Sequence, residues 1–445
     1  MTTTDDLSAA YQQPAELLRT LIRFDTTNPP GNERACIAYL NDLLTRAGFQ
    51  TTLLARDPER PNLITRLPGR GEAPPLLLYG HVDVVTTGGQ LWERPPFAAE
   101  VVDGFIWGRG ALDMKSGVAM MTAALLRAKA EGFTPPGDVV LLLVSDEENG
   151  GDFGAGYLVD AHPTLFDGIR FALGEVGGGA TYFGAHKFYP IQVAEKQMCW
   201  MKATLRGPGG HGAMPARGGI MAKLAHFLSQ LDRCRLPVHV TPAARLMFGA
   251  MIAALPEAEA ETLRRLIDPL QTDAVLDELG PLGRLYDAQL HNTVCATMVR
   301  ASDKVNVIPS EVVVEMDGRL LPGFGPDDMI AELRPIVGDE VELEVVRYDA
   351  GPAAPDMGLF DTLAGVLREM DPTGAPVPDL LAGVTDGRYF ARLGIQTYGF
   401  LPLDLPPGFN RKALVHAANE RVPYDAVAFG VEALYRVLQR FGEVS

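Results

Sequence analysis

Short apolar runs and amphipathic stretches alternate along most of this chain. Three runs are almost wholly apolar, at residues 76–80, 139–145 and 169–173. Runs of this kind are typical of parallel strands, because helices cover both faces of a parallel sheet. Apolar residues recur at helical spacing between these runs, which predicts helices over 14–26, 33–48 and 115–132. The pattern therefore predicts an α/β fold with a mixed, largely parallel sheet sandwiched by helices.

The central part of the chain predicts a second domain. Strand and helix signals over 198–350 follow the order β-α-β-β-α-β, which is typical of a ferredoxin-like α+β unit. The stretch "GPAAPD" at 351–356 has the composition of a linker. We therefore predict a first domain made of residues 1–197 and 351–445, with the second domain inserted into it.

Residues that can perform chemistry follow each of the three apolar runs. His81 and Asp83 follow the first run, the acidic triplet 146–148 follows the second, and Glu175 follows the third. Ligands of parallel α/β sheets bind outside the carboxyl ends of the strands. We therefore expect these side chains to meet at one edge of the sheet.

The candidate side chains suit a divalent metal. Asp113 lies between glycines and a predicted helix, and His416 lies in a polar loop near the end of the chain. With His81, Glu148 and Glu175 they offer oxygen and imidazole ligands without a thiolate, which favours zinc, cobalt or manganese in a hydrolytic site. Five ligands exceed the three of a mononuclear catalytic zinc, so two metals that share one carboxylate fit better.

Each candidate also has a purely structural interpretation when it is taken alone. His81 and Asp83 can form a polar pair at the edge of the core, Asp113 can cap a helix, and the triplet 146–148 can be a solvated acidic loop. A phosphate-binding loop is excluded at Lys115, because Met114 replaces the required glycine. The chain also contains no HExxH or GxSxG motif, which removes the common zincin and serine-hydrolase interpretations.

Composition narrows the class of protein. The chain has 445 residues, 47% of them hydrophobic, and a formal net charge of −17, which argues against nucleic acid or an anionic membrane as partner. Its four cysteines form no CxxC pair, as expected of free thiols in a reducing compartment. We find no secretory signal, and the aliphatic run 139–144 is too short to cross a membrane. We therefore expect a cytoplasmic protein.

Several motifs, taken in order, resemble those of the M20 metallopeptidase family. They are "GHVDVV", "GRGALDMKSG", "SDEENGG", the acid Glu175 and the terminal "HAANE". The resemblance runs nearly end to end and implies a zinc-exopeptidase-like catalytic domain with an inserted lid or dimerisation domain. It also implies two divalent metal ions, zinc first, with cobalt or manganese as alternatives. By motif, His81, Asp113 and Glu175 would hold one metal, and Asp113, Glu148 and His416 would hold the other.

The same resemblance assigns roles beside the metals. Asp83 would support His81, and Glu147 would be the general base that activates a bridging water. His211, in "GPGGHGAMP", would reach the site of a partner subunit and stabilise the oxyanion, which implies a homodimer.

The resemblance also implies a set of substrate-binding residues. Asn306 and Arg319 would bind the substrate carboxylate, which an arginine fork suits. In "GVTDGRYF" (383–390), Thr385 and Arg388 would help to grip the substrate.

Two features depart from the compact members of the family. Glu175 is followed by "VGGG", where many members carry proline, so the adjoining wall of the site is expected to differ. The stretch 240–292 is longer than in compact deacylases and resembles the carboxypeptidase-S and N-acyl-amino-acid hydrolase branch. Its Met and Phe residues either line an acyl pocket or, as we expect, form the core of the lid.

The resemblance leads to one main hypothesis and two alternatives. The main hypothesis is metal-dependent hydrolysis of an amide beside a free carboxylate, in an N-acyl-amino acid or a short peptide, by an aminoacylase- or carboxypeptidase-like enzyme. The first alternative is a dedicated biosynthetic deacylase of the succinyl-diaminopimelate desuccinylase or acetylornithine deacetylase type. The second is a non-catalytic relative that binds metal or an amino acid.

Overall fold

The computed structural model describes residues 4–215 and 217–443. The strands are β1 Thr51–Leu54, β2 Asn62–Leu67, β3 Leu76–His81, β4 Val101–Val102, β5 Phe105–Trp107, β6 Val139–Val144, β7 Phe171–Gly174, β8 Thr181–Phe183, β9 His186–Glu195, β10 Gln197–Arg206, β11 Gly210–His211, β12 Thr293–Arg300, β13 Val307–Ile308, β14 Glu311–Leu320, β15 Glu342–Asp349, β16 Gly374–Leu381, β17 Gln396–Gly399 and β18 Arg421–Pro423.

The helices are α1 Thr4–Gln12, α2 Pro14–Ile22, α3 Arg34–Arg46, α4 Lys115–Ala130, α5 Ala155–Ala161, α6 Ile220–Arg233, α7 Pro242–Ala254, α8 Glu257–Leu266, α9 Thr272–Leu279, α10 Gly283–Leu290, α11 Pro326–Val337, α12 Phe360–Met370, α13 Gly387–Ala391, α14 Arg411–Leu414 and α15 Tyr424–Arg440. Single 3-10 turns span Glu147–Asn149 and Pro163–Phe166.

The chain folds into two compact units. The first unit contains the described residues of Met1–Val193, Asp356–Asp379 and Thr385–Ser445. The second unit contains those of Ala194–Pro355 and Leu380–Val384. Two segments of the chain, one long and one of five residues, thus interrupt the three parts of the first unit.

A nine-stranded sheet forms the centre of the first unit. Its order is β1-β2-β6-β3-β7-β17-β9-β16, with β8 paired to β9. Strands β6, β3, β7 and β17 run parallel, whereas β1, β2, β8 and β9 pair antiparallel. The predicted α/β class with a mixed, largely parallel sheet is therefore confirmed.

Helices cover both faces of the parallel strands, which explains their uniformly apolar sequences. Every residue of β3 and of β6 is buried. On one face Leu77 belongs to a cluster with Leu158 of α5 and Phe390 of α13. On the other face, a Cβ on Gly80 would come 3.2 Å from Val118 of α4, so this glycine lets the helix approach the strand end closely.

The parallel register brings the carboxyl ends of the strands together. His81, the last residue of β3, lies opposite Val144, the last residue of β6. Leu78 of β3 lies opposite Leu173 of β7, shortly before Glu175. The expectation that the three apolar runs end at one edge of the sheet is confirmed.

Two strands of this sheet contain prolines, and the sequence analysis did not predict them. Strand β9 contains Pro190, and β16 contains Pro376 and Pro378. Proline has no amide hydrogen to donate to a ladder, so it normally argues against a strand or places it at an edge. Strand β16 does lie at the edge of the sheet.

The second unit is an α+β fold. Its antiparallel sheet has the order β12-β14-β10-β15, and α6 and α11 pack against one face. Apart from the short β11 and β13 and the added helices α7–α10, the elements follow the order β-α-β-β-α-β, as predicted for a ferredoxin-like domain.

Helices α7–α10 form the long insertion. Met247, Phe248 and Met251 of α7 are buried, and Phe248 packs edge-on against Tyr286 of α10 with ring centroids 5.3 Å apart. These Met and Phe side chains therefore form the core of the insertion in this structure. Across residues 4–215 and 217–443, no helix combines the length and the hydropathy that a membrane span requires.

Candidate metal centre

The first group of candidate ligands joins the ends of β3 and β7 to the loop before α4. His81 Nε2 lies 3.2 Å from Asp113 Oδ1 and 3.6 Å from Glu175 Oε2. One ligand atom from each of the three residues lies within 4.8 Å of the others. Side chains that are far apart in sequence thus converge at one point, as a metal site requires.

The second group shares one residue with the first. His416 Nε2 lies 3.1 Å from Asp113 Oδ2 and 3.2 Å from Glu148 Oε2. Their ligand atoms also lie within 4.8 Å of one another. Asp113 thus presents one oxygen to each group, which is the arrangement expected of a carboxylate that bridges two metals.

Two of the purely structural interpretations, for Asp113 and for the acidic triplet, do not hold. Helix α4 begins after Met114, and no side chain caps its first turn. Asp113 is therefore not a helix cap. Asp146 is buried and the Glu148 side chain is only 5% exposed, so this segment is not a solvated acidic loop.

Charge balance tests whether cations fit the site. Burial, and then Asp113, raise the pKa of Glu148 to about 7, and burial also raises the pKa of Glu175. Within the described residues, Oε1 of Glu148 and Oε1 of Glu175 have no hydrogen-bond partner. Buried carboxylates normally find donors or cations, so these oxygens and the raised pKa values fit a pair of divalent metal ions.

Asp83 contacts both His81 and the main chain of Glu147 and Glu148. The Nδ1 atom of His81 lies 3.0 Å from the main-chain oxygen of Asp83 and 3.6 Å from its Oδ1. Only the shorter contact is a hydrogen bond, and it leaves Nε2 free for a metal. The Asp83 carboxylate instead accepts bonds from the main-chain amides of Glu147 and Glu148, both at 3.1 Å.

Glu147 begins the turn that follows β6. The preceding residue, Asp146, has a left-handed backbone with φ of 71°, which reverses the chain immediately after the strand. Burial, and then Glu175, raise the pKa of Glu147 well above its usual range. A carboxylate with a raised pKa, next to a candidate metal ligand, is suited to take a proton from water.

Glu420 is a residue of the site whose role the sequence analysis missed. Its carboxylate accepts bonds from the main-chain amides of Gly110, Leu112 and Asp113 at 3.1, 2.7 and 3.1 Å. It also pairs with the buried Arg109 at 2.6 Å. Glu420 was visible as the last letter of "HAANE", but only the fold shows that it holds the Asp113 loop.

Thr385 and Arg388 lie buried in the wall beside residues 146–151, which we call the acidic turn. The Thr385 hydroxyl accepts a bond from the Gly387 amide at 3.0 Å. Arg388 donates to the main-chain oxygens of Thr385 and Gly150 at 3.1 and 3.0 Å. These bonds tie the 383–390 loop to the end of the acidic turn, so both side chains shape the wall.

The "VGGG" stretch lets the chain pass closely over β17. A Cβ on Gly177 would overlap the main-chain oxygen of Gly399, and one on Gly178 would come 2.9 Å from Pro402 N. Val176 has φ of 81°, an uncommon conformation for a β-branched residue, and Arg411 donates to its carbonyl oxygen. The glycines and Arg411 together fix the path of the chain after Glu175.

The remaining predicted residues lie in the second unit. His211 and the loop of Asn306 are neighbours, because β11 pairs with β13 and Gly212 N donates to Asn306 O at 2.9 Å. Arg319 of β14 is paired with Asp317 through two bonds of 2.8 and 3.1 Å. Its Nη1 is buried and has no hydrogen-bond partner within the described residues.

Comparisons with known proteins agree with this geometry. Residues 77–440 match the family described as peptidase family M20/M25/M40. The chain is 28% identical over 383 residues to the N-fatty-acyl-amino acid synthase/hydrolase PM20D1 of Xenopus tropicalis, covering 82% of this chain and 72% of that protein. It is 28% identical over 444 residues to the succinyl-diaminopimelate desuccinylase of Paracoccus denitrificans, covering 96% and 98%.

A solved structure shares the fold. The M20 family metallo-carboxypeptidase from Sulfolobus solfataricus superposes with a TM-score of 0.67 at 16% identity, covering 97% of this chain and 100% of that one. Since the family match spans most of the sequence, this chain belongs to peptidase family M20/M25/M40.

Proposed function

We propose that this member of a family of metal-dependent peptidases and amidohydrolases hydrolyses an amide bond beside a free carboxylate, in an N-acyl-amino acid or a short peptide. The observation that carries the proposal is the double group of ligands, in which Asp113 offers one oxygen to each half. Similarity to an N-fatty-acyl-amino acid synthase/hydrolase supports an N-acyl-amino acid as the substrate.

The proposed ligands of the first metal are His81, Asp113 and Glu175, and those of the second are Asp113, Glu148 and His416. The family includes dinuclear metal-binding peptidases, which supports two ions. We propose zinc, with cobalt or manganese as alternatives, because the donors are oxygens and imidazoles. When bound, the ions polarise the amide carbonyl and lower the pKa of the attacking water.

Glu147 is the proposed general base. Its carboxylate takes the proton from the attacking water and then passes it to the nitrogen of the leaving amine. Asp83 holds the main-chain amide of Glu147 at 3.1 Å, which fixes the backbone from which this carboxylate extends. This division leaves Glu148 to hold a metal while its neighbour moves protons.

Residues of the second unit are proposed to recognise the substrate. Arg319, with Asn306, binds the free carboxylate, for which Arg319 Nη1 is an unused donor. His211 stabilises the oxyanion from a partner subunit, so the proposal includes a homodimer. Thr385 and Arg388 contribute by fixing the loop that borders the substrate.

A dedicated biosynthetic deacylase remains the second candidate. Similarity to a succinyl-diaminopimelate desuccinylase extends over 96% of this chain, which favours it. A panel of N-acyl-amino acids, dipeptides, succinyl-diaminopimelate and acetylornithine separates the two by kcat/KM. Dominant activity on either of the last two would replace the broader proposal.

The central test removes the proposed base. In full-length enzyme reconstituted with zinc, Glu147→Gln should lower kcat by about 10²–10⁴-fold, because a general base contributes that much. Its bound metal, measured by elemental analysis, should stay at the wild-type level. Asp152→Asn is the control, since Asp152 is an exposed acid in the same loop. Normal turnover by Glu147→Gln would refute the assigned base.

A further inference from the structure

A buried arginine lies behind the acidic turn of residues 146–151. Arg60 is 6% exposed, and its partners Glu33 and Asp146 are 0% and 1% exposed. Its Nε and Nη2 donate to the two oxygens of Glu33 at 3.2 and 2.6 Å. Its Nη1 lies 2.9 Å from Asp146 Oδ1. The guanidinium therefore joins the start of α3 to the start of the turn.

Asp146 determines how the acidic turn leaves β6. Its left-handed backbone, with φ of 71°, is uncommon for a residue with a side chain, so its side-chain bonds must help to hold it. Three side-chain bonds hold it: Oδ1 accepts from Arg60 and from Asn28 Nδ2 at 3.0 Å, and Oδ2 accepts from Phe153 N at 3.1 Å. Arg60 supplies the only charged donor among them.

Asn28 connects Asp146 to Asp83, whose carboxylate holds the main-chain amide of Glu147. The same Nδ2 that donates to Asp146 also donates to Asp83 Oδ2 at 2.8 Å. Asp83 in turn accepts from the amides of Glu147 and Glu148. The turn is thus held at its first residue by Arg60 and at the next two by Asp83.

The surrounding chain is shaped to fit a guanidinium. A Cβ on Gly31 would overlap the Arg60 side chain, and Gly31 has φ of 88°. On another side, the Arg60 guanidinium lies 4.9 Å from the centre of the Phe153 ring. A planar fork that stacks and also donates to two carboxylates cannot be replaced by lysine.

We propose that Arg60 is a positioning residue for the reaction: by holding Asp146 in its left-handed conformation, it directs the Glu147 carboxylate into the metal centre. The proposal rests on the proposed role of Glu147. The competing view is that Arg60 and Glu33 form a buried ion pair that contributes to stability alone. The two views differ because, within the described residues, Arg60 is the member of this pair that bonds to the acidic turn, through Asp146.

The test compares variants of the zinc-loaded, full-length enzyme. Arg60→Gln should lower kcat by about tenfold or more, with KM within about twofold and bound metal unchanged, since a small misplacement of a catalytic group costs that much. Glu33→Gln leaves the bond between Arg60 and Asp146 in place and should keep kcat within about twofold to threefold. Arg60→Lys should have a kcat below that of wild type, because lysine cannot reproduce the planar fork of arginine.

Arg56→Gln is the matched control. Arg56 also stacks near Phe153, at 5.7 Å from the ring centre, but it is exposed and reaches the main-chain oxygen of Asp152 instead of Asp146. Its loss should leave kcat unchanged. If Arg60→Gln does not fold, the double variant Glu33→Gln/Arg60→Gln removes the Arg60–Glu33 pair, leaves Asp146 bonded to Asn28 and to Phe153 N, and should show the same loss of kcat.

A second readout does not depend on the reaction. Hydrogen exchange of amides over 145–153 should be faster in Arg60→Gln than in wild type or Arg56→Gln, and unchanged in Glu33→Gln. Unchanged exchange in Arg60→Gln overturns the proposal even if the enzyme is inactive. Equal loss of stability in both single variants with normal kcat overturns it as well. If Glu147→Gln proves active, the assigned base fails, while the exchange data still decide the role of Arg60.

Discussion

At the scale of single residues, buried carboxylates that accept bonds from main-chain amides fix the candidate metal ligands. Asp83 holds the amides of Glu147 and Glu148, and Glu420 holds those around Asp113. Neither carboxylate needs to touch a metal. The position of a metal ligand depends on the main chain to which it is attached. The carboxylates of Asp83 and Glu420 should therefore influence metal affinity almost as strongly as the ligands do.

Replacement of Glu420 tests this argument. In Glu420→Gln the amide group must face at least one main-chain donor, and Arg109 loses the charge of its partner. Each unsatisfied buried donor costs about 1–3 kcal/mol, so we expect metal affinity to fall by about 10–100-fold, with a loss of kcat. Competition with a chromogenic chelator measures the affinity.

Glu93→Gln is the control for this prediction. Glu93 contacts Asn419, the residue before Glu420: its main-chain N donates to Asn419 Oδ1 at 2.9 Å, and its Oε1 accepts from Asn419 Nδ2 at 3.2 Å. Within the described residues, Glu93 forms no bond with the amides around Asp113. Its replacement should leave metal affinity unchanged. Equal affinity in wild type and Glu420→Gln would show that the Asp113 loop does not depend on this carboxylate.

At the scale of elements, the sequence predicts strands well where burial is uniform. Strands β3, β6 and β7 were predictable because helices cover both faces, and their register then places His81 beside the acidic triplet. Strands β9 and β16 were not, because Pro190, Pro376 and Pro378 conflict with the local pattern and only pairing with neighbours outweighs it. Local sequence preference therefore predicts the central strands of this sheet better than the strands near its β16 edge.

The crossing of the Glu175 loop over β17 supports a prediction about packing. Gly177→Ala should place a methyl group against the Gly399 carbonyl oxygen, which is main chain and cannot move aside easily. Overpacking of this kind costs about 1–3 kcal/mol, and the loop should shift together with Glu175. Thermal unfolding and metal stoichiometry both report the effect.

Gly365→Ala provides the comparison within another element. Gly365 lies in α12, where an added Cβ meets no atom within 4 Å. Alanine favours helices, so this variant should be neutral or more stable by up to about 1 kcal/mol. A similar loss of stability in both variants would contradict the argument from close packing.

At the scale of the whole molecule, the metal centre depends on contacts that no local pattern reveals. Sequence motifs identified the five ligand candidates, and the strand ends explain three of them. The sharing of the two Asp113 oxygens, by contrast, requires the C-terminal loop to return to the sheet. Asn28, Arg60 and Glu420 escaped notice because each is a polar residue in a loop, without periodicity or a metal-ligand type of spacing.

Burial of many acids in one place also affects the stability of the entire enzyme. Without metal, the pKa of Glu148 rises from its usual 4.5 to about 7, mainly through burial. Hydrogen bonds to Asp113 and Glu148 raise the pKa of His416 from 6.5 to about 10. In both cases the folded state holds more protons than the unfolded state, over about pH 4.5–7 for Glu148 and about pH 6.5–10 for His416.

This excess of bound protons gives the sign of the pH effect. Stability falls with rising pH wherever the folded state binds more protons, so the metal-free enzyme should lose stability from about pH 5 to about pH 8. Metal ions need these ligands deprotonated, so they displace the protons and remove the dependence. The difference in Tm between zinc-loaded and chelator-treated enzyme should therefore widen over this range, by about 5 °C or more.

Scanning calorimetry or scanning fluorimetry at matched ionic strength measures this difference. Glu148→Gln provides a further comparison, because it removes the titrating carboxylate and one proposed metal ligand together. Its metal-free form should lose less stability than wild type between about pH 5 and about pH 7, since the 4.5-to-7 window of Glu148 is gone. The contrary result is a Tm of metal-free wild type that rises between about pH 5 and about pH 7. In that case Glu148 and His416 do not hold extra protons in the folded state, and the argument that cations balance the charge of the site fails.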